Sequence, residues 1–156
     1  MKVEKDYAEF LKLLNEFNVK YLIVGAYAVT FYSEPRNTGD VDIFIKNDKS
    51  NADKIIKMLT KFGFVGLNIT RDDLVKDDVI IQLGVAPVRI DLMTTISGIG
   101  FDEAYNTKVA GKLGSIETNF ISYEMLIKNK KESGRKKDLA DLELLLKFRK
   151  SKKDKG

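Results

Sequence analysis

The sequence predicts an α+β fold of α/β-like character: a mixed β-sheet flanked by helices, with two further helices at the C-terminal end. Three observations carry that expectation. Short apolar runs alternate with amphipathic segments of helical period through the first half of the chain. Two apolar runs in "VIIQLGVAPVRIDLM" stand on either side of a tight "GVAP" turn, which makes them an antiparallel hairpin. From Ser122 the pattern is helical again, interrupted at "ESG".

The elements follow in order. Residues 6–17 place Phe10, Leu11, Leu13, Leu14 and Phe17 close to helical spacing, so an amphipathic helix is expected there. "KYLIV" reads as a buried strand ending at Gly25, residues 26–33 as a short helix, and "EPRNTG" as a polar loop punctuated by its Pro and Gly. "TGDVDIFI", residues 38–45, is the second strand. Residues 50–62 form a helix with Ser50 as the expected N-cap and Gly63 at its end. "FVGLNI" is a candidate strand, and "TRDDLV" a short helix capped by Thr70 with two acids in its electropositive first turn. "FDEAYN" reads as a helical turn and "GKLGSIETNFI" as short strand and loop. The last helices are expected over residues 122–131 and 135–148.

At 156 residues the chain suits one compact domain, expected over residues 1–149 and followed by a basic tail, 150–156, expected to be disordered. Hydrophobic residues at 44% and charged residues at 32% are a globular mixture, far from the composition of a disordered chain. No apolar run approaches the about 20 residues that cross a bilayer, and the N-terminus mixes acids and bases where a signal peptide has an apolar core. A cytoplasmic location without a membrane partner is therefore expected. The absence of Cys and His excludes disulfides, thiolate or imidazole metal ligands, and Ser-His or Cys-His nucleophile pairs. Any metal would rest on carboxylates and be a hard cation. Six bases face one acid in "KFRKSKKDKG" and supply much of the net charge of +4; such a run reads first as a solvated end and second as a nucleic-acid contact.

Asp40 and Asp42 lie in a run that otherwise reads as a buried strand, where Asp is depleted and an uncompensated charge costs several kcal/mol. Residues i and i+2 of a strand share a face, so the two acids point to one surface while Val41 and Ile43 face the other. Asp91 in "VRIDLM" is a third acid on a second apolar strand, and neighbouring strands would let all three converge. Three such carboxylates suit one or two Mg²⁺ (or Mn²⁺) ions, which want oxygen ligands and open positions for substrate phosphate. A structural alternative stands beside this: Asp40 ends a turn after Gly39, while Asp42 and Asp91 pair with Arg36 and Arg89. Gly25, between strand and helix, either admits a phosphate to the backbone N–H groups or packs helix closely on strand.

Taken together, "VGAYAVTFYSEPRNTGDVDIFI" and "RIDLM" resemble the nucleotidyltransferase superfamily, the DNA polymerase β-like fold. Gly25 and Ala26 occupy its paired small positions, twelve residues separate Tyr27 from Asp40, and Asp91 matches the third acid. "GAYAV", "PRNTGDVDIF", "RIDLMTTISGIGFDEAY" and "NKKESGRKKDLADLELL" look most like small bacterial nucleotidyltransferase-like proteins akin to AbiEii-type toxins, over about residues 21–146. The resemblance implies that Asp40, Asp42 and Asp91 hold the metals, with Asp91 also a base toward the acceptor hydroxyl. It makes Lys136 and Lys137 candidate phosphate contacts, with Asp138 in a supporting role, while Gly25 and Ala26 offer backbone N–H groups to a nucleotide phosphate. Arg36 in the "EPRNTG" loop reads either as a phosphate or acceptor contact, its guanidinium matching phosphate bidentately, or as a solvent-exposed loop arginine. Ala26 and Tyr27 depart from the Gly-Ser of many active members, so the serine hydroxyl is missing. A plainer reading of the last segment has Asp138 favouring the helix start, Lys147 and Arg149 its end, and Leu139, Leu142, Leu145 and Leu146 in the core.

The activity so implied is Mg²⁺-dependent transfer of a nucleoside monophosphate from an NTP such as ATP to a hydroxyl of RNA, a protein or a small molecule. The alternative is a non-catalytic module of the same fold that binds a partner protein or nucleic acid, for example within a toxin-antitoxin pair.

Overall fold

The computed structural model describes residues 5–34, 39–63, 68–85 and 88–155. Along the chain these form α1 (Lys5–Glu16), β1 (Tyr21–Val24), α2 (Gly25–Tyr32), β2 (Val41–Ile45), α3 (Lys49–Phe62), α4 (Arg71–Val75), β3 (Ile80–Val85), β4 (Val88–Met93), α5 (Phe101–Asn106), β5 (Val109–Leu113), β6 (Ile116–Phe120), α6 (Tyr123–Ser133) and α7 (Lys136–Lys155). The sheet runs β3-β4-β2-β1-β6-β5. Parallel pairs, β2 with β4 and β1 with β6, alternate with antiparallel ones, so the sheet is mixed as expected.

The central strands are apolar because both their faces are covered: every residue of β1 is buried, and in β2 only Asp42 is not. Phe10 and Leu14 of α1, Leu22 and Ile23 of β1, Ile43 and Phe44 of β2, Ile55 of α3 and Phe120 of β6 form the middle of the core. α2 lies against β1, β2 and α7, while α1 lies against α3, β4 and β6.

Several boundaries differ from the sequence expectation. α3 is capped by Asp48, whose side chain accepts from the Asn51 N–H at 2.8 Å; Ser50 falls inside the first turn. Thr70 does cap α4, in a reciprocal pair with Asp73. "VAGKLGSIETNF" is a complete hairpin rather than strand and loop, because Gly114 at φ +61° permits a two-residue turn that a side chain would strain. The candidate strand "FVGLNI" lies mostly outside the described residues, and its last two, Asn68 and Ile69, are not in a strand.

α7 continues through the basic segment to Lys155, where the expectation ended the helix at 148; no Pro or Gly interrupts the run, and Lys and Arg are good helix formers. Of its leucines only Leu145 is fully buried. Leu139 and Leu146, each 47% exposed, lie seven residues apart on the outer face, so they are not core.

Asn51 ties the sheet to α3. Its side chain accepts from Lys20 N at 2.8 Å and donates to the carbonyls of Lys20 at 3.0 Å and Lys46 at 2.9 Å, joining the entry of β1 to the exit of β2. The residue is 3% exposed. Replacing it with Ala strands three backbone groups away from water, so Asn51→Ala is expected to lower unfolding free energy by about 3 kcal/mol in urea titrations.

Candidate active site

β2 and β4 lie side by side in parallel with Asp42 directly opposite Asp91, while on the other flank of β2 the register sets Val24 opposite Asp42. Immediately after Val24 the chain turns into α2 through Gly25, at φ +67°, a conformation that residues with a side chain avoid. A Cβ at Gly25 would run into the Asp42 side chain, 2.9 Å from both its Cβ and its Cγ. Gly25 is therefore glycine on two counts, its backbone and the room it leaves for the Asp42 carboxylate. Asp40 stands just before β2, partly exposed.

Of the pairings that the sequence left open, the one between Asp91 and Arg89 is present. Arg89 Nε donates to Asp91 Oδ1 at 3.1 Å and its Nη2 to Oδ2 at 3.0 Å, a bidentate fork. The same Nη2 lies 2.8 Å from Asp40 Oδ2. Asp42 has no hydrogen bond or ion pair with a described residue, and Arg36, its expected structural partner, lies outside the described residues. Burial, followed by the repulsion of Asp91 and Asp40, pushes the Asp42 carboxyl up to about 6, against the pull of Lys137 and Lys130.

Asp42 opens onto a cavity of about 460 Å³. Gly25 and Ala26 border it at the start of α2, Thr95 and Ser97 after β4, and Lys130, Lys137, Asp138 and Asp141 where α6 gives way to α7. Lys130 is buried at 5% exposure and donates to Asp138 at 3.0 Å and Asp141 at 3.3 Å. Burial works against the Asp138 charge, but hydrogen bonds from Ser133, Lys130 and Arg135 prevail and hold its carboxyl at about 2. Lys137 is exposed and makes no ion pair with a described residue.

Of the residues singled out in the sequence, Gly25, Ala26, Asp42 and Lys137 thus meet in one cavity. Asp40 and Asp91 adjoin Asp42 but are bridged by Arg89. Lys136 is exposed and does not border the cavity. Asp138 is part of a buried ion cluster as well as of the helix start. Sequence reasoning missed Lys130 and Asp141, whose only signal was a lysine and two acids spaced to share one helix junction. It also missed Tyr7: the Tyr7 hydroxyl donates to the Gly39 carbonyl at 3.3 Å and accepts from Arg89 N at 3.0 Å, linking the approaches to Asp40 and Asp91.

The all-oxygen donor set, and an Asp42 charge that no described residue pairs with, suit a hard divalent cation in their chemistry. With Arg89 across Asp40 and Asp91, no three acids among the described residues are arranged to hold one.

Two stability measurements check this electrostatic picture. Because the folded-state pKa of Asp42 is raised from 3.8 to about 6, the fold holds this proton more tightly than the unfolded chain, and stability falls as pH rises between those values. Asp42→Asn removes that penalty, so metal-free urea unfolding should show it more stable than wild type by up to about 2–3 kcal/mol at pH 7, with the difference vanishing near pH 4. Asp91→Asn acts in the opposite direction: it breaks the fork from Arg89, and should lower stability by about 1–3 kcal/mol at pH 7.

Over residues 3–155 the sequence matches the family described as "Nucleotidyl transferase of unknown function" (DUF2204). No curated protein matches it in sequence. Among solved structures, the lincosamide antibiotic adenylyltransferase LnuA in its lincomycin-bound form aligns with a TM-score of 0.58 at 16% identity, covering 94% of this chain and 98% of that one. That likeness establishes a shared fold. With the family match spanning nearly the whole chain and a nucleotidyltransferase as structural neighbour, the protein belongs to the DUF2204 family of nucleotidyl transferases.

Proposed function

We propose that the chain transfers a nucleoside monophosphate from an NTP, ATP foremost, to an acceptor hydroxyl, with Mg²⁺ (or Mn²⁺) held by Asp42 together with Asp91 and Asp40 once Arg89 has withdrawn from the last two. The observation that carries this reading is Asp42 itself: a largely buried carboxylate with no ion-pair partner among the described residues, facing a cavity it shares with Gly25, Ala26 and Lys137, which also lacks one among them. When bound, the ion would neutralise the triphosphate and the charge developing at the transferred phosphorus. The side chains do the rest. Lys137 attracts the phosphates, the backbone at Gly25 and Ala26 lets them approach the start of α2, and the acids orient the reacting groups. Asp91, the base that the resemblance implies, has both oxygens engaged by Arg89.

The cavity volume of about 460 Å³ is on the scale of small-molecule sites, and LnuA is named as an antibiotic adenylyltransferase. Both support a small-molecule acceptor over RNA or a protein side chain. Arg89 lying across two of the acids favours a second reading, a non-catalytic module that binds nucleotide, RNA or a partner protein, as in a toxin-antitoxin pair.

Incubation with each labelled NTP, Mg²⁺ or Mn²⁺, and acceptor pools of small hydroxylated compounds, RNA or cell extract separates the two. Labelled product is expected from wild type, with a loss of at least about a hundredfold in Asp42→Asn. Lys137→Ala should raise KM for the NTP by about tenfold without lowering the melting temperature, since the side chain is exposed. No labelled product from any acceptor pool would leave the binding module as the reading.

A further inference from the structure

Among the described residues Arg89 is the one cation within ion-pair distance of the acid cluster, and its two ends are held very differently. The backbone is fixed: Arg89 lies within β4, and its N–H donates to the hydroxyl of Tyr7, itself 1% exposed. The side chain folds over Asp91, two residues along the same face of the strand. The guanidinium stays at the solvent edge with its side chain 34% exposed, whereas that of Asp91 is 7% exposed. The cross-strand neighbour of Arg89 on β3 is Gly84, which sets no side chain beside it.

One guanidinium therefore serves two of the three acids. It takes both oxygens of Asp91 and one of Asp40, and leaves Asp42 with none of its donors. A divalent ion between Asp42 and Asp91 would have to share the Asp91 oxygens with the two N–H groups that Arg89 now donates to them. It would also stand a few Å from a second positive group, and like charges at that range repel strongly.

We propose that Arg89 is a built-in counter-ion that a divalent cation must displace, so that guanidinium and metal occupy the acid cluster in alternation. In the metal-free protein Arg89 neutralises part of the repulsion that β2 and β4 create by setting their acids side by side. In the metal-bound protein it is released at the solvent edge, where its planar fork is free for a phosphate oxygen pair. Metal affinity is then weaker than the acids alone would give, because each ion that enters must open the pair.

The inference rests on the reading of the acids as a metal site, and its test needs no turnover. Calorimetric titration with Mn²⁺ alone compares wild type, Arg89→Gln and Arg89→Lys. Arg89→Gln should bind about tenfold tighter than wild type, and Arg89→Lys, which keeps the charge but loses the fork, should fall between. In wild type labelled at arginine Nε, the Nε–H signal that Asp91 now holds should shift, and exchange faster with water, as Mg²⁺ is added; this readout depends on no variant folding. Mg²⁺ binding with the Arg89 signal unmoved, or Arg89→Gln binding Mn²⁺ no tighter than wild type, overturns the alternation and leaves the transferase reading standing. Absence of metal binding in every form overturns both.

Discussion

The parallel pairing of β2 with β4 is the constraint on which the site depends. Hydrogen-bonded strands lie about 4.8 Å apart, so the register that sets Asp42 opposite Asp91 brings two carboxylates together in a largely apolar setting. Like charges directly opposite one another destabilise a sheet. Much of the surrounding structure answers that one juxtaposition: Gly25 gives up a side chain so that the Asp42 carboxylate has somewhere to lie, Arg89 forks onto Asp91 and Asp40, and Tyr7 holds the backbones from which Asp40 and Arg89 project.

Charge in and around the cavity divides accordingly. In one group Arg89 compensates Asp40 and Asp91; in the other Lys130, Arg135 and Ser133 compensate Asp138, and Lys130 also reaches Asp141. Compensated groups are fixed by their partners and contribute geometry. Asp42 and Lys137 stand apart from both groups, one an acid whose carboxyl is pushed up to about 6, the other an exposed ammonium without an ion-pair partner among the described residues. A perturbed, partnerless charge is the kind of group a site uses, which is why the proposed function rests on these two.

The helices contribute by their ends. α2 starts at the cavity, and α6 delivers Lys130 and Ser133 in its final turn. Gly134 then takes the left-handed conformation, and α7 begins with Lys137 and Asp138 in its first turn. A tight αα corner is thus what makes a buried lysine meet two acids one helical turn apart. Those side chains approach Asp42 although about a hundred residues separate them along the chain.

Most of the strands and helices, and the two acid-bearing runs, were legible in the sequence, because periodicity and capping chemistry act over a few residues: Thr70 caps its helix, Gly63 ends another, and Asp40, Asp42 and Asp91 advertised themselves by standing in apolar runs. The structure alone decided which acid is paired and which is not. The reach of Arg89 back to Asp91 and across to Asp40 depends on the register of β2 against β4, and the burial of Lys130 depends on how α6 meets α7. The outward turn of Leu139 and Leu146 was likewise hidden, since the spacing of leucines on a helix names a stripe but not the face its neighbours cover. Local pattern determines what an element is; the balance of charge and burial at a site is a sum over elements distant in sequence, and only their packing fixes its terms.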